Sequence, residues 1–233
     1  MCKRNDKRLA LAVAVGSIAL IASSVHAAPK APRVQTGATA EITHDGLHRV
    51  DRSVMDAAWV KPDLDLTGYT KLMLVSVGIS YKEDPDYKGT FDRSATEFPI
   101  DEENRERLQR TVREEFLEEF EMLERYEIVT EPGPGVLMLI GGVLDVVSRV
   151  PPERPGAGAR GGVYLTSVGD ATLVLELRDS TTNEILARAA DRRSAESAFA
   201  FEVNTVTAWS EVRRLAGAWA RLLRTRLEEL TGV

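Results

Sequence analysis

The sequence predicts an α+β domain in which a mostly antiparallel sheet of about five strands is packed by two long helices, in the order β-α-β-β-β-β-α. Three observations predict it. Lys71 to Ser80 (KLMLVSVGIS) alternates as a strand does. Two segments repeat apolar residues at helical spacing: Leu108, Val112, Phe116, Phe120 and Leu123, then Trp209, Val212, Ala216, Trp219, Leu223, Leu227 and Leu230. Between them, 170–179 and 184–193 read as two strands joined by Ser180-Thr181-Thr182-Asn183, where Asn183 can take the left-handed conformation of a short hairpin loop.

The elements follow in order. Lys3, Arg4, Lys7 and Arg8 precede an apolar run from Leu9 to Ala22, about one signal-peptide core long and too short to span a bilayer. Val25-His26-Ala27 has the small-x-small spacing that a signal peptidase reads. Cleavage is expected after Ala27, so that Ala28 begins a periplasmic or secreted chain with no stable membrane anchor. Cys2 lies ahead of the apolar run, so the mature chain has no cysteine for thiol catalysis, thiolate metal sites or redox work. Residues 28–60 show no sustained period and read as a loosely structured arm, which leaves 61–233 as a single domain.

The strand at 71–80 is apolar on one face and half apolar on the other, which suits an interior position. After a polar stretch, Asp101 can cap a helix over 102–124, with Glu102 and Glu103 in its first turn. Glu127 to Val129 makes a short strand. The Pro132-Gly133-Pro134-Gly135 punctuation forces a turn, and Val136 to Val150 reads as a long strand. Residues 151–162 (PPERPGAGARGG) read as a mobile loop, and Asn204 is placed to cap the second helix.

Composition excludes several functional classes. A 233-residue chain that is 43% hydrophobic and 28% charged is an ordinary globular protein, neither disordered nor collagen-like nor polytopic in a membrane. Its formal charge of −6, or −9 once the basic leader is removed, argues against a nucleic-acid partner.

No motif assigns a reaction. Gly156, Gly158 and Gly161 match a dinucleotide or kinase glycine pattern. However, Pro155 precedes them, a β-like Val163-Tyr164-Leu165 follows, and no catalytic HRD or DFG segment accompanies them. His44 and His48 have the four-residue spacing of helical metal ligands, but Gly46 lies between them and a third ligand would have to come from elsewhere. Glu114, Glu115, Glu118, Glu119 and Glu121 form an acidic patch opposite the apolar stripe, read as solvated or as a docking surface for a basic partner. Asp145, Glu176, Arg178, Arg188 and Arg192 fall inside strand patterns, where they would form a cross-strand ion network or line a polar groove. No cofactor or metal is expected.

At these strands the wording becomes familiar: THDGLHRV at 43–50, DLTGYTKLML at 65–74, EPGPGVLMLIGGVLDVVS at 131–148 and VGDATLVLELRDSTTNEILARAADRR at 168–193. The chain resembles the bacterial exported-protein and lipoprotein family catalogued as domain of unknown function number thirty-three thirteen. Many relatives carry a lipobox cysteine, which this sequence replaces with the peptidase-type site at Ala27. The resemblance implies compartment and fold and names no reaction.

Two functional expectations follow. The first is a non-enzymatic envelope module that docks on another envelope protein or on a copy of itself. The second is a small-ligand binder that closes the loop 151–162 as a lid, with Arg154, Arg160 and Tyr164 as contacts; Asp145, Glu176 and Arg178 are further candidate ligand or partner contacts. An enzyme built on a buried acidic pair such as Asp145 with Glu176 comes third.

Overall fold

A computed structural model describes residues 31–82, 96–151 and 163–231. Ten elements follow in chain order: β1 (Arg33–Val34), β2 (His48–Asp51), β3 (Ala57–Val60), β4 (Lys71–Tyr81), α1 (Glu102–Phe120), β5 (Glu127–Val129), β6 (Val136–Ser148), β7 (Tyr164–Asp179), β8 (Ile185–Glu202) and α2 (Thr205–Thr231). The strands form one sheet in the order β1-β2-β3-β8-β7-β6-β4-β5.

This corrects the expected sheet of five mostly antiparallel strands: among the described residues there are eight, and their pairing is mixed. The three extra strands lie in the segment 28–60, each two to four residues long, too short to show a period of their own. β4 pairs in parallel with both β5 and β6. The cause is the helix between them: a chain that leaves a strand and returns through a helix re-enters the sheet in the same direction. β4 is interior only over Lys71–Met73, where β5 flanks it. The late hairpin is longer than expected on both sides, and its Asn183 has φ 61° as the turn chemistry requires.

Both helices are capped where the sequence places caps. The Asp101 carboxylate accepts the Asn104 amide at 2.8 Å, and Asn204 Oδ1 accepts the Val206 and Thr207 amides at 2.9 and 3.0 Å. α1 stops at Phe120, short of 124, because its last carbonyls are taken by tight turns at Met122 and Leu123. No helix among the described residues is long and apolar enough to cross a membrane.

The helices share one face of the sheet. Phe120, Leu123, Trp219 and Leu227 pack with Leu72, Leu137, Leu139, Leu173, Leu175 and Leu177 into the core. The alternate residues of the same strands, Val75, Met138, Ile140, Val174 and Glu176, point to the other face and are only half buried.

Candidate functional site

The helix-free face is built across the strands as a lateral row. Pairing register sets Arg49 opposite Trp59, Trp59 opposite Arg188, Arg188 opposite Glu176, Glu176 opposite Ile140 and Ile140 opposite Val75. Arg188 Nε donates to Glu176 Oε1 and its Nη2 to Asp45 Oδ2, both at 2.9 Å. Arg178, two residues along from Glu176, grips the other carboxylate oxygen and reaches Asn183 Oδ1 at 3.1 Å. Partial burial opposes ionisation of Glu176, yet the hydrogen bonds from Arg178 and Arg188 outweigh it and hold its carboxyl below the usual range.

The expected cross-strand network is therefore present for Glu176, Arg178 and Arg188, and it recruits Asp45 from the turn before β2. Two other residues of the expected set stand apart. Arg192 is exposed, and its backbone amide donates to Asp56 Oδ2 at 2.9 Å. Asp145 sits in a β-bulge, where Asp145 and Val146 together face Ala171, and its φ of 52° turns it out to solvent. Ile140, the partner of Glu176, lies five residues back along β6, so Asp145 and Glu176 do not form an acidic pair.

Tyr164 opens β7 opposite Glu202 and is 64% exposed. Arg154, Arg160 and residues 152–162 of the loop lie outside the described residues, as do Ala27 and Ala28. A shallow cleft does exist elsewhere, lined by Tyr81, Glu97, Phe98, Ile100, Arg105 and Ser148, with Arg105 over the Tyr81 ring at 4.6 Å. His48 Nδ1 is hydrogen-bonded to the Gln35 carbonyl at 2.7 Å, and among the described residues no group of three His, Cys, Asp or Glu could share a metal ion.

Sequence reasoning missed two buried carboxylates. Asp191 collects the Trp219 indole N–H at 2.8 Å, Arg193 Nε at 2.6 Å and the Asp56 amide at 3.2 Å. Strand parity was the available signal, because Asp191 alternates with the outward Arg188 and Arg192 pair and faces the helices. The second, Glu119, belongs to the acidic patch expected to be solvated. It is 7% exposed and takes Arg221 and Arg224 of α2 at 3.0–3.1 Å. It flanks Phe116 and Phe120, on the edge of the apolar stripe, so the seam between the helices covers it. Glu114, Glu118 and Glu121 of the same patch are exposed, and Glu115 is half buried.

The sequence model described as Protein of unknown function (DUF3313) matches residues 35–223. The chain belongs to this family. No curated protein matches it. Among solved structures, this DUF3313 chain is similar to protein XCC0632 from Xanthomonas campestris, assigned to DUF330, at 10% identity over 71% of this chain and 86% of that one, with a TM-score of 0.37. A neuraminyllactose-binding hemagglutinin homolog from Helicobacter pylori matches at 10% identity over 73% and 90%, TM-score 0.37. The PelC dodecamer from Paraburkholderia phytofirmans matches at 12% identity over 67% and 91%, TM-score 0.28. At such scores these likenesses say nothing of what a DUF3313 chain does.

Proposed function

We propose that this protein is an exported, non-enzymatic interaction module of the cell envelope that docks through the helix-free face of its sheet. One observation carries the reading: Trp59, Val75, Met138, Ile140 and Val174 form an apolar strip on a face that neither helix covers, and Val77 at its edge is 66% exposed. A solvated sheet face normally carries polar side chains at these alternate positions. The charges beside the strip support binding over catalysis. Glu176 is kept ionised by two guanidinium groups, so it is a poor proton donor near neutral pH.

Export rests on the basic residues, apolar run and Ala27 site of the leader, and mass determination of the mature amino terminus tests it directly. A terminus at Ala28 is expected. A retained Met1 would overturn export with cleavage. The docking face is tested by placing a photo-crosslinking phenylalanine analogue at Val77 in living cells. Adducts are expected there and not at the exposed turn residue Thr181. The absence of any Val77 adduct would sink the docking role.

A further inference from the structure

We propose that the occupant of the helix-free sheet face is a second copy of this chain, seated through the acidic outer side of its α1. This rests on the docking role proposed above, and it names the partner. Two guanidinium groups flank the apolar strip without pairing to any carboxylate among the described residues. Arg49 rests over the Trp59 ring at 4.6 Å and donates to the Asp56 carbonyl at 3.1 Å, and the exposed Arg192 lies four residues along β8 from Arg188. From strand spacing and rise, these two positions are about 16 Å apart.

The outer side of α1 offers the complement. Exposed acids outnumber the exposed Arg110 and Arg113, and no Lys or Arg among the described residues pairs with Glu103, Glu114, Glu118 or Glu121. Glu103 and Glu114 stand three turns apart on one side of the helix, about 16 Å along its axis. Beside them Leu117 is half buried and Met122 is exposed, which gives this surface apolar contacts for the Val75, Ile140 and Val174 strip. Such a contact sets an α-layer on the bare side of the sheet and completes a three-layer arrangement. Because the sheet of one copy meets the helix of the next, the contact is head-to-tail. It closes into a ring or runs on as a chain of copies.

Sedimentation velocity on the protein, produced with its own leader and purified, tests this. Concentration-dependent association is expected, and it should weaken as salt rises because exposed charges carry the orientation. Charge reversal on the sheet (Arg49→Glu with Arg192→Glu) and on the helix (Glu103→Lys with Glu114→Lys) should each weaken association by about tenfold or more. Mixing the two variants should restore it, since each then presents the complement of the other on both surfaces. Thermal melts of each variant confirm folding, and Val77→Glu, which touches no ion pair, gives the same loss by a route independent of Arg49 and Arg192. A protein that stays monomeric, or variants whose mixture does not recover, would overturn the proposal. If the protein is monomeric while Val77 still crosslinks to a protein of another mass, the second copy is wrong and the docking role stands. No adduct at all overturns both.

Discussion

The indole of Trp219 donates to the carboxylate of Asp191 at 2.8 Å, where the two residues are 2% and 3% exposed. This bond ties the middle of α2 to β8, with Arg193 and the Asp56 amide sharing the same carboxylate. Asp191→Ala leaves all three donors without their acceptor, so a loss of about 3 kcal/mol is expected in urea unfolding. Trp219→Phe removes one donor and little volume, and should lose only about 1–2 kcal/mol. Equal losses would show that packing, not the hydrogen bond, holds the helix.

Two strand glycines should respond differently to the same added methyl. A Cβ on Gly169 would stand 2.1 Å from the Val147 carbonyl oxygen, a backbone atom that cannot give way. Gly169→Ala is expected to cost about 3 kcal/mol. At Gly142 the close atom is a methyl of the exposed Val77 at 2.6 Å, which can rotate aside, so Gly142→Ala should cost under about 1 kcal/mol. Denaturant midpoints of the two variants decide it.

Glu115 lies against α2, near Gly217, and burial, reinforced by the charge of Glu118, raises its pKa. A raised carboxylate pKa means stability that is complete below the unfolded value and falls as pH rises through the folded one. Glu115→Gln should therefore melt higher than the parent at pH 7, and the gain should vanish near pH 4. A variant that melts lower at pH 7 would contradict this placement.

Glu176 has the opposite sign. Its depressed pKa contributes stability that is present above the unfolded carboxylate value and is lost as pH falls through the folded one. Melting temperature should drop on acidification below about pH 4.3, the ordinary glutamate value, and the drop should be shallower in Glu176→Gln. Tyr69 gives an independent optical marker. Burial, together with its 2.9 Å hydrogen bond to Asp179, pushes its hydroxyl up to about 12. In an absorbance titration Tyr69 should ionise near that value, and Tyr69→Phe should reduce the absorbance change there by one tyrosine's worth.

The helices, their caps and the late hairpin were legible because each leaves a long periodic trace or a turn residue with one job, as Asn183 does. Strands of two to four residues leave no such trace, which is why Arg33–Val34, His48–Asp51 and Ala57–Val60 went unread. The parallel pairing of β4 had a readable sign in its apolar residues on both faces, but strand direction depends on the crossover helix, not on the strand. At the site, the sequence placed Glu176, Arg178 and Arg188 correctly together. It could not place Asp145, because a bulge shifts parity by one residue without any mark in the composition.

The strand order has a consequence for when this molecule can exist at all. Ala57 and Ala58 of β3 pair with Ala190 and Ala189 of β8, so an early segment waits for one of the last to be made. β8 also receives β7 and α2, so the centre of the sheet is missing until nearly the whole chain is available. Non-local closure of this kind is slow, since a long loop must be ordered before its contacts repay it. The fold therefore closes only when β8 and α2, the last elements of the chain, are in place.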